Sequence, residues 1–459
     1  MLEGLEISEV WLSDIDLGDR IDADYFTKEN IQIENELKKQ GAVELRGFAS
    51  FVASAFYPAA TQLYEIGDTP FIRCVDCINY PLITKKQDNS FEKIPMAFVE
   101  ENKGISLLNK DDIVITKVGS PCFASIVYEH DVVALSRTVM GLKDIHDINP
   151  FYLLAFLRSK YGFTQLLRAR ELTIQYQLTL ERVKRILVYL PDGVFQISIE
   201  SIIKKSIEKQ MLSQTVYSDA ENLLLSELGL KGWLPNNNLV NIKQLKESFL
   251  ASGRLDAEYY QPKYDEIETV ITKYKHGYDK IGKLFAQNTD VCDYKEDAYN
   301  YIEIGDINIS DGTASFNLVS KEELPDNAKR VLHKNDLLIS KVRPYRGAVA
   351  IIDFDDERLI GSGAFTALRE NSTYKKEVLQ ILLRTQIYKD WLLKWNVGSS
   401  YPVIKDEDIL NLPIPIIPNK VQTEIAEYVQ KSMSLRAEAK QLLESAKLKV
   451  EDAISTPPI

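Results

Sequence analysis

Short stretches of the chain alternate apolar and polar residues or run apolar without a break. IVITKV (113–118), FASIVYE (123–129), LLISKV (337–342) and AVAIID (348–353) are rich in β-branched residues and bounded by Gly, Pro, Asn and Asp. That pattern predicts strands joined by turns. Around them the period lengthens. NPFYLLAFLRSKYGFTQLLRA (149–169) predicts helix, with Pro150 following Asn149 as a first helical residue follows its N-cap. Two much longer helical patterns cover about 197–229 and 420–454, both without internal Pro or Gly. In the first, Ile199, Ile203, Ile207, Met211, Ala220, Leu224 and Leu228 recur mostly every fourth residue; in the second, Ile425, Tyr428, Leu435, Ala439, Leu442, Ala446 and Val450 do the same.

These patterns occur twice, in the same order. RIDADYF (20–26) matches RLDAEYY (254–260) at an offset of 234. FIRCVDCIN (71–79) matches YIEIGDIN (301–308), with Asp76 opposite Asp306. LNKDDIVITKV (108–118) matches LHKNDLLISKV (332–342), and LLAFLRSKYG (153–162) matches LQILLRTQIY (379–388). YQLTLERVKRILVYLP (176–191) then matches YPVIKDEDILNLPIPIIP (401–418), and the long helices follow. The offset drifts only from 234 to 224. A repeat of this length is a duplicated domain and not a solenoid unit.

The fold expected is α+β: two homologous mixed α/β domains joined by two long antiparallel-paired helices, a coiled-coil spacer. The boundaries expected are a first domain at 1–195, a central spacer helix at 196–232, a second domain at 233–418 and a C-terminal spacer helix at 419–459. At 1.5 Å per residue, thirty-odd residues make a rod of roughly 45–50 Å. A rod of that length with one apolar stripe finds its partner in the other rod; the alternative is that each helix caps its own domain. Two kindred domains on such a spacer suit a target with two marks at a fixed separation, of which DNA half-sites are the commonest example.

Composition narrows the reading. The chain has 459 residues, 45% hydrophobic and 27% charged, as an ordinary globular protein does. No apolar run approaches the roughly 18–20 residues of a membrane span, and MLEGLEISEVWLSDID lacks the basic start of a secretion signal. No membrane association and a cytoplasmic location are therefore expected. The four cysteines fit a reducing compartment. The net charge of −12 opposes a free-standing tight DNA binder, because phosphate contacts need a basic footprint. It leaves room for a large subunit that reads bases through local Arg and Lys while partners supply backbone contacts.

Taken together, RIDADYF, RLDAEYY, YIEIGDIN, DLLISKVRPYRGAVAI, GSSYPVIKDEDILNLPIPIIP and EIAEYVQK resemble a specificity subunit of a type I restriction–modification system. The resemblance covers nearly the whole chain and resides in the ordered set, not in one motif. The entry to the last helix, IIPNKVQTEIAEYV, is a looser version of the Pro-Pro-x-x-Glu-Gln stretch common in relatives. The first copy departs more, with CVDCIN in place of Gly-Asp-Ile-Asn and an aromatic, Ala-rich stretch at 41–69. The resemblance implies a non-catalytic chain in which each target recognition domain reads half of a split site on double-stranded DNA. It implies two modification subunits docked on the paired helices, carrying S-adenosylmethionine and methylating adenine, and it admits a restriction subunit that translocates and cuts. No cofactor is expected in this chain.

Candidate DNA contacts in the second copy are Lys341, Arg343, Tyr345 and Arg346, on a turn shaped by Pro344 and Gly347. Arg can fork onto guanine O6 and N7, and Lys can neutralise phosphate. The bland alternative is a solvated hairpin end with arginine paired to a neighbour such as Asp353 or Asp355. The first copy offers Lys117 and Arg137, with Arg73, Lys85 and Lys86 as further options. The exit loops, containing Gly398, Ser399, Ser400 and Tyr401 in one copy and Thr173, Ile174, Gln175 and Tyr176 in the other, could hold phosphates or simply lead into strands.

Catalytic chemistry is not apparent. NPFY (149–152) lacks the second proline of an adenine methyltransferase motif and reads as a helix cap. No phosphate loop ends in Gly-Lys-Ser/Thr. Cys74 and Cys77 have no second pair at zinc spacing, so no metal is expected. Asp112 with Lys117 and Asp336 with Lys341 have nuclease-like spacing but lack a further acid. Two alternatives stay open: a stand-alone DNA-modifying enzyme with unrecognised motifs, and a duplicated scaffold that binds protein or glycan.

Overall fold

The computed structural model describes residues 8–11, 22–55, 62–79, 81–85, 91–119, 122–171, 177–236, 238, 240–398 and 402–456. It divides into two compact units, residues 1–211 with 435–459 and residues 212–434.

In the first unit, Ser50–Ala53, Val139–Lys143, Ile113–Thr116, Ala124–Val127 and Leu82–Ile83 form a five-stranded sheet in that spatial order. A second sheet runs Lys93–Ile94, Thr69–Ile72, Val132–Leu135, Leu107–Asn109. Its central pair is parallel, Phe71 opposite Ala134, which requires the crossover that carries the first sheet's middle strand. Helices Pro150–Arg158 and Lys160–Arg168 cover the first sheet. Asn149 caps the first as the sequence predicts: its Oδ1 accepts from the Phe151 and Tyr152 amides at 2.9 and 3.2 Å.

The second unit repeats this plan. One sheet runs Phe285–Gln287, Phe365–Glu370, Leu337–Ser340, Val349–Ile351; the other runs Asn317–Ser320, Ala298–Ile302, Leu359–Ser362, Ala328–Val331. Again one central pair is parallel, Tyr301 opposite Ile360. Even a small turn recurs. Asp111 and Asn335 have φ of 69° and 76°, a conformation Asp and Asn tolerate, and the next residue caps the turn. Asp112 Oδ2 accepts from the Asn109 amide at 2.7 Å and Asp336 Oδ2 from the His333 amide at 3.0 Å. These aspartates, which the sequence set at nuclease-like spacing from Lys117 and Lys341, are buried turn caps.

The repeated Leu-Arg-Ser/Thr step between the two helices has a mechanical basis. Ser159 and Thr385 each donate back to the carbonyl three residues earlier and cap the following helix, on Gly162 and Tyr388. The preceding arginine leaves the helix to bond a strand-entry carbonyl: Arg158 Nη1 to Ala124 O at 2.7 Å, Arg384 Nη1 to Gly347 O at 3.1 Å. In the second unit alone among the described residues, a small hairpin of Ile307–Asn308 and Thr313–Ala314 stands beside this arginine.

The two long helices are Gly193–Glu227 and Asn419–Ser455. In the first unit Ile199, Ile203 and Ile207 share a core with Ala446, Val450 and Ile454. Ser206 Oγ donates to Ala439 O at 2.7 Å, and Lys209 pairs with Glu438 at 2.6 Å. In the second unit Ala220 and Leu224 share a core with Ile425 and Val429, and Ser432 Oγ donates to Ser213 O at 2.8 Å. Numbers rise along one helix as they fall along the other, so the pairing is antiparallel. Each helix also packs on domain core in each unit, so the two roles set against each other on the sequence, pairing and capping, are both filled.

Candidate nucleic-acid interface

The second unit's candidate turn follows the buried strand Leu337–Ser340. Arg343 adopts φ 48° and Gly347 φ 71°, with a single 3-10 turn, Pro344–Arg346, between them. Pro344 suits the first position of that turn because it needs no amide donor there. The base of the turn is pinned to the exit loop: the Arg343 amide donates to Pro402 O at 2.8 Å and the Ile404 amide to Lys341 O at 2.9 Å.

The four sequence candidates on this turn fare differently. Tyr345 is 38% exposed, Arg346 is exposed and Arg343 half-buried. Lys341 turns inward. Its side chain is only 17% exposed and its ammonium pairs with Asp406 at 3.1 Å, where Asp406 also accepts from Thr366 Oγ1 at 2.5 Å. The lysine's partner is thus an acid 65 residues along the chain.

Helix Lys376–Arg384 fixes what lies next to the turn. Arg384 Nη1 reaches Gly347 O, while Nη2 donates to Ile309 O at 3.0 Å, in the tip of the 307–314 hairpin. Buried Gln380 donates to Gly312 O at 3.0 Å. Arg384 also lies 5.5 Å from the ring centre of Tyr217 on the central helix. There Glu221 has its carboxyl pushed up by burial, against the lowering pull of Arg384 and Lys389.

In the first unit Lys117 occupies the place of Lys341, half-buried, with Leu178 donating to its carbonyl at 3.0 Å. Arg137 and Lys85 are exposed. Arg73 is engaged with Asp76 at 3.4 Å and Glu92 at 3.2 Å. The CVDCIN stretch forms helix Cys74–Asn79 where the second unit has a 3-10 turn and hairpin strand, so the two units differ here. Ser399 and Tyr401 lie outside the described residues, as do Ser400, Lys86 and the loop 173–176.

The motif that opens each repeat acts as a clip. Arg168 sits 4.0 Å over the Tyr25 ring and pairs with Glu34 at 2.5 Å; Lys394 sits 5.5 Å over Tyr259 and pairs with Glu268 at 3.2 Å. Burial alone would raise the Glu34 carboxyl, but its hydrogen bonds to Arg168 and Lys38 bring it below the usual range. In the second unit, Arg254 donates to the Asp256 carboxylate through Nε and Nη2, and Nη2 also donates to Asn396 O at 2.9 Å. The Arg254 guanidinium lowers the Asp256 carboxyl. These residues, with Trp395, Gly398 and Lys405, line an open cavity of about 1030 Å³ beside the exit loop.

Residues 279–446 match the family model of the type I restriction modification DNA specificity domain. No curated protein matches the chain. Among solved structures it is similar to the S subunit of a type I restriction-modification system from M. genitalium, at 11% identity over 90% of this chain and 94% of that one, TM-score 0.39. It is also similar to the HsdS subunit from Thermoanaerobacter tengcongensis, at 14% identity over 77% and 82% of the two chains, TM-score 0.27. The family match is the finding that bears on function.

Proposed function

Because residues 279–446 carry a type I restriction-modification DNA specificity domain, we propose that this chain is the sequence-reading subunit of such a system. It reads a bipartite site on double-stranded DNA and directs separate subunits to it, with no catalytic centre of its own. One observation carries the reading beyond the matched segment. The strand order of the matched domain, including its parallel central pair, recurs in the first unit, which supports reading the chain as two recognition domains of one type.

Division of labour follows from this. The recognition domains are assigned to 1–195 and 233–418, with spacer helices at 196–232 and 419–459. In the second domain Arg343, Tyr345 and Arg346 face the DNA, the arginines suited to fork onto guanine in the major groove. Lys341 shapes the turn through Asp406. In the first domain Lys117 and Arg137 take part, and hydroxyls and amides of the exit loops bond phosphates. Two modification subunits bind S-adenosylmethionine and methylate adenine; a restriction subunit joins the same complex. Among the described residues no helix is long and apolar enough to cross a membrane, and the proposed site of action is the cytoplasm.

The experiment is methylome sequencing of a host expressing the chain with its modification subunits, against a host lacking the chain. The expected result is adenine methylation at one split sequence with a fixed gap. Methylation that persists unchanged without the chain, or that shows a single undivided site, overturns the proposal.

A further inference from the structure

The 307–314 hairpin adds nothing to a hydrophobic core at its tip. Ile309 is 54% exposed and Ser310 is exposed. Yet the tip is held from both inside and outside. Internally, Asn308 Oδ1 accepts from the Ser310 amide at 2.9 Å, and Asp311 Oδ1 accepts from the Thr313 amide at 3.0 Å. Externally, Arg384 and Gln380 bond its carbonyls at Ile309 and Gly312. The same two side chains also bond Gly347 O and, at 3.5 Å, Val349 O, which bracket the end of the arginine turn. One helix therefore fastens two exposed loops into a single surface.

Holding them this way is expensive. Gln380 Oε1 and Arg384 Nε are buried without a partner among the described residues. Native structures leave few buried polar atoms unpaired, and each asks for a reason. The space is tight as well: a Cβ on Gly312 would stand 2.8 Å from Gln380 Nε2 and 3.0 Å from Val349 O. A solvated loop needs none of this. A recognition surface does, because contacts to base edges work only when the loops that carry them keep their geometry.

We propose that the hairpin tip is a second DNA-contacting element of this domain, and that Arg384 and Gln380 are positioning residues locking it to the arginine turn. The inference rests on the DNA-reading function proposed above. Its ligand is the groove of duplex DNA, which Ile309 meets through an apolar contact and Ser310 through its hydroxyl oxygen, free to accept because its proton is donated to Asn308 Oδ1 at 2.7 Å. Among the described residues the first unit's Arg158 bonds one carbonyl, Ala124 O at the start of a strand, and the double brace is seen in the second unit.

The test uses the full chain with its modification subunits and reads base preference position by position across the split site. Ile309→Glu places an acid at an exposed tip and leaves the core alone. It is expected to weaken binding of the cognate duplex about tenfold or more, since each base or backbone contact of this kind carries a comparable factor. Arg384→Ala is expected to relax base preference in the same half-site, with the other half-site and the gap unchanged. A merely structural role for Arg384 would lower the unfolding temperature without altering preference. Should Arg384→Ala fail to assemble, Ile309→Glu decides alone: unchanged affinity and preference overturn the inference. A wild-type complex with no split-site preference overturns the parent proposal instead, and the two failures are told apart by that wild-type arm.

Discussion

At the scale of single residues, the basic side chains of the 341–347 turn separate by whether the fold encloses them. Lys341 is enclosed with Asp406 and Thr366, whereas Arg346 is exposed. The two should respond oppositely to mutation. Lys341→Met leaves Asp406 half-buried with a hydroxyl as its remaining side-chain partner, and is expected to lower stability by about 1–3 kcal/mol. Chemical denaturation of the variant measures this; an unchanged midpoint would show that the ion pair contributes nothing. Arg346→Ala removes an exposed side chain, so stability should stay within about 0.5 kcal/mol of wild type. Its effect is expected in discrimination, at about 1–3 kcal/mol against the wrong base in one half-site. Competition binding with single-base variants of the cognate duplex reads that loss.

At the scale of elements, the helix pair buries small residues along its seam. Ser206, Ser213, Ser432 and Ala439 are all buried, and serine hydroxyls bond carbonyls of the opposite helix. Ser432→Leu should force the second unit's helices apart and destabilise the chain by about 1–3 kcal/mol, read as a drop in unfolding temperature. Glu221 on the central helix gives a pH-dependent counterpart. Burial raises its carboxyl pKa in the folded chain, so the folded state binds the proton more tightly than the unfolded state. Stability is therefore lost as pH rises from the ordinary value of 4.5 through the raised one. Glu221→Gln is expected to melt higher than wild type at neutral pH and alike below about pH 4.5; the reverse ordering at neutral pH would mean that Arg384 and Lys389 outweigh burial. Elements of this kind were largely legible in the sequence. The four-residue apolar spacing drew both rods, and Asn149 followed by Pro150 marked a cap that the structure reproduces. What the sequence hid were bonds to backbone carbonyls and partners far along the chain. Arg384 bonds Ile309 and Gly347 through main-chain oxygens that no residue type announces, and Lys341 finds Asp406 only once strand and exit loop meet. RLDAEYY was visible as a repeat, but its work, offering Tyr259 to Lys394, depends on a helix end more than a hundred residues later.

At the scale of the whole molecule, the net charge of −12 sets the terms on which DNA can be bound. Affinity for DNA comes largely from phosphate neutralisation and counterion release, both of which need local positive charge. Several basic side chains of the two units are already committed: Lys341 to Asp406, Arg73 to Asp76 and Glu92, Arg168 to Glu34, Lys394 to Glu268. On the proposed function, a chain so balanced is expected to discriminate between bases while holding DNA feebly, and to take backbone affinity from its partners. The isolated chain is accordingly expected to bind its cognate duplex no better than roughly 10⁻⁶ M at physiological salt, in the range of non-specific binding. With the modification subunits the expectation moves to roughly 10⁻⁸ M or tighter, with a steeper dependence on salt because more phosphates are neutralised. Fluorescence anisotropy across a salt series, with and without the partner subunits, measures both quantities. Nanomolar binding by the chain alone, with the steep salt slope already present, would mean that the two units carry the phosphate contacts themselves and that the partners contribute only chemistry.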